Sequence, residues 1–219
     1  MKKYLSQVAG VGLAATMTFA VQSSAQAFDF DFTSSDGGFT SSGSPDWTYT
    51  GSQWQTTNIS SVNENFLTSP VLTSTVDGQI DLSLTHAYNF EDGFDGGIVE
   101  YSINGSPFSY FDSLNYNFTL STGFSNPHPG IEAFSGTAAA VVSNGQAGTL
   151  TPGDTFQIRL NGGWDSSVEE SNPAWEVSSI SINASATPVP FGVSTDLSII
   201  ILGGLYGVSR LRKKLAVSK

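Results

Sequence analysis

Apolar and polar residues alternate along much of the middle of this chain. Ile80, Leu82 and Leu84 interleave with Asp81, Ser83 and Thr85; Val99, Tyr101 and Ile103 with Glu100 and Ser102; Phe156, Ile158 and Leu160 with Gln157 and Arg159. A period of two with one apolar face is the pattern of antiparallel strands that bury one side. In Trp175-Glu176-Val177-Ser178-Ser179-Ile180-Ser181-Ile182 the phase shifts between Val177 and Ile180, which predicts a bulge that keeps both halves facing the core. Asn104-Gly105 after Ile103 predicts a tight hairpin turn, because both residues tolerate positive φ. Short strands separated by polar turns, with no helical intervals, predict an all-β antiparallel sandwich. Within it Trp175 is in phase with Val177 and reads as core. His86 reads as a polar-facing strand residue and His128, in Asn126-Pro127-His128-Pro129-Gly130, as an exposed turn residue.

The two ends are organised differently. Lys2 and Lys3 precede an apolar stretch from Val8 to Val21, and Ala25-Gln26-Ala27 offers a small-x-small cleavage pattern. This is the layout of a secretory signal peptide over residues 1–27, with cleavage expected after Ala27. At the other end stand Thr187-Pro188-Val189-Pro190-Phe191, the apolar run Leu197–Val208, and a basic cluster of Arg210, Arg212, Lys213 and Lys214. Val189 to Val208 is twenty residues with one charge, Asp196, close to the ~20 that span a bilayer core. The basic cluster would stay cytoplasmic. A single C-terminal transmembrane helix over 197–208 is expected.

Proline break, short apolar helix and basic end, in that order over 187–214, resemble the tripartite sorting tail of PEP-CTERM proteins, and the Pro190-Phe191 start resembles the cyanobacterial variants. The resemblance implies an exosortase-like processing enzyme as partner and a transient membrane anchor. The chain would be exported through the inner membrane, then delivered to the cell surface or extracellular matrix. Val189-Pro190-Phe191 stands where the family carries Pro-Glu-Pro.

Residues 28–186 then form one domain, long enough to bury a core without covalent staples. There are no cysteines, so a disulfide framework, a thiol nucleophile and a thiolate metal site are all excluded. Between Phe28 and Ala186 the only Lys or Arg is Arg159, against eighteen Asp and Glu, a net charge near −17. Such a surface repels nucleic acid and anionic lipid and suits a protein living among divalent cations.

The stretch from Leu82 to Gly105, a strand, an acidic turn containing Asp95-Gly96-Gly97, and a strand ending in Ser102-Ile103-Asn104-Gly105, is similar to the central hairpin of MAM-like extracellular jelly rolls. Phe28-Asp29-Phe30-Asp31-Phe32 with Trp47 resembles their first strands, and Phe156–Leu160 and Trp175–Ile180 their last two. The resemblance implies a jelly-roll sandwich and carries little about function.

The chemistry available is narrow. Only His86 and His128 are near-neutral bases, and neither a Gly-x-Ser-x-Gly elbow nor a His-Glu-x-x-His run occurs, so no enzyme is expected. Hard cations take several oxygen ligands gathered from loops. Glu91, Asp92 and Asp95 share one glycine-rich turn, Asp165 sits in another, and Asp29 and Asp31 open the domain, which makes all six candidate ligands for Ca²⁺. Trp54, between Gln53 and Gln55, and Trp164, beside Gly163 and Asp165, are the aromatic candidates for stacking on an extracellular polysaccharide. The expectation is a non-enzymatic exported surface or matrix protein, with a secreted carbohydrate-binding module as the alternative.

Overall fold

A computed structural model describes residues 25–167 and 170–185. The expected signal peptide up to residue 24 and the expected sorting tail over 187–214, including Pro188, Pro190, Phe191 and the basic cluster, lie outside the described residues. Among the described residues no helix is long and apolar enough to cross a membrane.

Fourteen strands are formed by the described residues: β1 (Gln26–Asp31), β2 (Thr40–Gly43), β3 (Thr48–Tyr49), β4 (Trp54–Thr56), β5 (Asn63–Thr68), β6 (Leu72–Thr73), β7 (Gly78–Asn89), β8 (Gly96–Ile103), β9 (Ser109–Tyr110), β10 (Phe118–Thr119), β11 (Glu132–Ala133), β12 (Thr137–Leu150), β13 (Thr155–Trp164) and β14 (Trp175–Ser185). All pairings are antiparallel. One sheet runs β12-β7-β14, with β1 and the β4-β3 hairpin sharing the far edge of β14; the other runs β2-β5-β13-β8-β9, with β6 on β13. The pairs β1–β14, β5–β13, β7–β12 and β8–β9 nest one inside the next along the chain. A nested ribbon folded over into two sheets is the jelly-roll arrangement.

The alternation dictates which side chains meet between the sheets. Ile80, Leu82 and Leu84 of β7 face inward with Ile180 and Ile182 of β14, against Phe156, Ile158 and Leu160 of β13 and Val99 of β8; all are at most 3% exposed. The register of β14 against β7 slips between Val177 and Ser179, so Trp175, Val177, Ile180 and Ile182 all reach the core despite the phase change in sequence. Asn104 and Gly105 adopt φ of 54° and 69°, and the Asn104 side chain ties this turn to the next hairpin by accepting from Thr155 N (2.9 Å) and donating to Asp154 (2.8 Å).

Two expectations fail, for different reasons. His86 has the parity of Ile80, Leu82 and Leu84, so it turns inward and is 1% exposed. Trp175 Nε1–H donates to His86 Nδ1 (3.0 Å), which leaves the proton on Nε2, 2.9 Å from Ser143 Oγ. His128 is 4% exposed because the segment between β9 and β12 folds across the outer face of the second sheet. There Ile98, Leu120 and Ala133 form a small second core, and His128 packs over Gly163 with Nδ1 3.8 Å from Glu64. Arg159 lies on the same outer face, bonded to Glu100 (2.7 Å) between the rings of Phe66 and Phe108.

Burial holds the His86 pKa down at about 4, against about 6.5 in the unfolded chain. A protonated Nδ1 would also confront the Trp175 N–H, donor against donor. Folding therefore favours neutral His86: the stabilisation is complete above pH ~6.5 and is lost as pH falls towards ~4, by on the order of 3 kcal/mol. Thermal melts of wild type and His86→Gln between pH 7 and pH 4 isolate this effect. The wild-type melting temperature falls more steeply across that window, and the two curves run parallel below it.

Candidate metal centre

The connection from β7 to β8 and the turn that leaves β13 come together at one end of the sandwich, and each follows a buried aromatic. Phe90 precedes Glu91 and Trp164 precedes Asp165; their ring centroids are 6.0 Å apart and both side chains are at most 1% exposed. Packing that fixes those rings therefore fixes the roots of both acidic turns.

Local hydrogen bonds shape the turns. The N–H groups of Phe94 and Asp95 both donate to the Glu91 carbonyl (3.1 Å each), and Gly93 takes φ of 76°. Ser135 braces this turn from forty residues away: its Oγ accepts the Gly93 N–H (2.8 Å) and donates to the Asp95 carbonyl (2.7 Å). Asp165 N–H donates to Asp95 Oδ1 (2.7 Å), linking the turns directly. Asp165 Oδ1 in turn accepts the Ser167 N–H (2.7 Å), and Ser167 Oγ lies 2.7 Å from it and 2.6 Å from Glu91 Oε2.

Glu91, Asp95 and Asp165 each place one carboxylate oxygen within 4.8 Å of the others. Asp95 and Asp165 are 1% exposed, and Asp165 Oδ2 is buried without a hydrogen-bond partner. Burial raises the Asp95 pKa to about 7; the Asp165 N–H opposes this, while the charges of Asp165, Glu91 and Glu170 add to it. Among the described residues the only Lys or Arg is Arg159, and it is bonded to Glu100, so none of them offsets Asp95 or Asp165.

Oxygens bound to one Ca²⁺ at 2.3–2.6 Å lie at most about 5 Å apart, so three carboxylate oxygens within 4.8 Å fit one calcium shell. The donor set is all oxygen, which suits a hard cation and not the nitrogen and sulfur preferences of zinc. A buried, unpartnered carboxylate oxygen costs free energy unless a cation or donor meets it.

The other expected ligands lie elsewhere. Asp92 points away from the trio, its Oδ1 3.2 Å from where a Cβ on Gly136 would stand, and lines a groove with Asn117, Thr137 and Glu170. Asp29 accepts from Ser181 Oγ (2.5 Å) on the open face of β1. Asp31 accepts from Thr33 N (3.0 Å) and Oγ1 (2.7 Å), and those bonds hold its pKa below the usual carboxylate value. Trp54 and Trp164 are 7% and 0% exposed, their indole N–H groups bonded to the Asp36 carbonyl (3.0 Å) and Asn58 Oδ1 (3.1 Å). Neither offers a ring face to a sugar. Ser135 and Ser167 complete the arrangement; only the proximity of Ser167 to Asp165 leaves any trace in sequence.

No protein family matches the chain, and no curated protein matches it. Among solved structures, a CBM35 from Cellvibrio japonicus Abf62 aligns with 75% of this chain and 100% of its own, at 13% identity and a TM-score of 0.36. The exo-β-1,3-galactanase of Phanerochaete chrysosporium, crystallised with galactose, aligns with 73% of this chain at 13% identity and a TM-score of 0.33. This chain covers 29% of that enzyme's length. A structure of infectious bursal disease virus, Gx strain, aligns with 84% of this chain and 38% of its own at 12% identity and a TM-score of 0.32. Likenesses this distant do not bear on what the chain binds.

The site predicts a change of sign. In EDTA, Asp165→Asn removes one of three crowded carboxylates while Asn Oδ1 still accepts from Ser167, so the variant melts above wild type. In millimolar Ca²⁺ the order reverses. Differential scanning calorimetry in both buffers, at matched ionic strength, measures it.

Proposed function

We propose that residues 28–186 form a non-enzymatic extracellular module whose loop end is closed by a calcium ion held by Glu91, Asp95 and Asp165. The observation that carries this is Asp165 Oδ2, buried and unpartnered beside two further carboxylates, with Arg159, the only Lys or Arg among the described residues, committed to Glu100. Millimolar calcium is an extracellular condition, and the acidic domain agrees with it. The leader would export the chain, and the proline-marked tail would anchor it until an exosortase-like enzyme releases it to the cell surface or matrix.

A site that binds the folded state alone adds RT ln(1 + [L]/Kd), about 2.7 kcal/mol at 100 times Kd. For a domain of this size that is a rise of roughly 5–10 °C in melting temperature between EDTA and Ca²⁺. Asp95→Asn combined with Asp165→Asn abolishes the rise. Equal melting temperatures for wild type in the two buffers overturn the calcium site. Intact mass of the exported protein tests the tail: the mature form ends between about Ala186 and Asp196, and a sole cellular form retaining Arg210 to Lys214 indicates a permanent anchor instead.

A second reading, an extracellular polysaccharide as partner, draws on a different surface. Across the open face of β12-β7-β14 runs a shallow groove of about 370 Å³ lined by Asp81, Ser83, Asn144, Gln146 and Asn183. Asp81 Oδ1 has no partner there. Amides, a hydroxyl and a carboxylate are the groups that hydrogen-bond sugar hydroxyls. A glycan array with wild type and Asp81→Ala/Asn183→Ala decides it: signal on a neutral glycan that the double variant loses supports this partner, and a blank array removes it.

A further inference from the structure

We infer that export processing hydrolyses the Ala25–Gln26 bond, so that the mature protein begins with Gln26. The inference rests on reading the N-terminal residues as a cleaved leader. Sequence alone allows two cuts, because Ser23 and Ala25 satisfy the small-x-small pattern as well as Ala25 and Ala27 do. The fold distinguishes them. Gln26 and Ala27 belong to β1, in register with Ala184 and Asn183 of β14. The Gln26 side chain fastens the turn after β6: Nε2 donates to the Thr73 carbonyl (3.0 Å), and Oε1 accepts from Thr75 N (2.6 Å) and Thr75 Oγ1 (3.0 Å).

A cut after Ala27 would discard all three bonds and two register pairs. It would also uncover part of the strand edge of β14 and leave the Thr75 N–H to water. A cut after Ala25 keeps the whole of β1. Ala25 itself is exposed and precedes the strand. One water adds across the bond, leaving a carboxylate on Ala25 and an ammonium on Gln26, and the new terminus lies at the edge of the sheet where a charge stays solvated.

The test is the intact mass of the protein recovered after export of the full chain in a secretory bacterial host. The expected mature form starts at Gln26, with or without loss of ammonia by cyclisation of the new terminal glutamine. A form starting at Phe28 overturns the inference while leaving the leader intact as a reading; a chain that keeps Met1 overturns both. Ala27→Tyr separates the alternatives further: a cut after Ala25 proceeds as before, whereas a cut after Ala27 is blocked by the bulky residue at the bond. Finally, a chain begun at Phe28 and the Gln26→Ala variant both melt several degrees below the Gln26 form; equal melting temperatures overturn the structural reason for the cut.

Discussion

The contact between the rings of Phe90 and Trp164 is the one on which both the sandwich and its acidic end depend. Phe90 is also 6.0 Å from Trp175, which donates to His86 and lies 5.4 Å from Trp47. Gly97 is the counterpart of this packing, since a Cβ there would stand 2.4 Å from the Trp175 ring. Glycine at that point is a requirement of close approach, not of backbone conformation. Aromatic rings bury large areas and bring a directional N–H with them. Here both Trp164 and Trp175 have that N–H satisfied inside, so neither is free to act as a surface platform.

Charge imposes the second constraint. A domain with eighteen carboxylates and one arginine cannot neutralise its acidic clusters from within, and Arg159 is committed to Glu100 and two phenyl rings. Most carboxylates tolerate this because they are exposed or hydrogen-bonded; Asp31 and Asp154 are both held below their usual pKa by local donors. Asp95 and Asp165 escape only in part: each Oδ1 accepts a backbone N–H, but Asp165 Oδ2 is left buried without a partner. They are buried, side by side, and reach the same point from two turns.

Much of the architecture was legible because burial on one face writes itself as period two. The strands at 80–84, 99–103 and 156–160, the bulge near Val177 and the Asn104 turn all follow from local pattern. Reading His86 as polar-facing let residue type override parity, although its position shares the phase of Leu84. The burial of His128, and of Ile98 beside Val99, depends on a long excursion crossing the outside of a sheet. No local pattern encodes that. Of the six candidate calcium ligands, three meet; what selects them is the pairing of Phe90 with Trp164 and the reach of Ser135, both contacts between residues far apart in the chain.

A cation among Glu91, Asp95 and Asp165 would act on the turns more than on the core. The core strands are already held by continuous ladders and by side chains excluded from water, whereas the two acidic turns are joined by the Asp165 N–H to Asp95 bond and braced by Ser135 and Ser167. Opening of such turns costs less than global unfolding, and their local stability is where a ligand has most leverage. The same end carries the 121–130 segment, where Asn126 donates to the Phe94 carbonyl and Phe124 stacks edge-on against Phe94 while 59% exposed. Phe124 and Ser125 both hold positive φ, a strained arrangement for residues with side chains. Fixing Asp95 fixes Phe94, its chain neighbour, and through it the segment that bears this strain. An ion bound at the buried carboxylates would thereby be linked, through one peptide and one ring contact, to the shape of the exposed surface beside them.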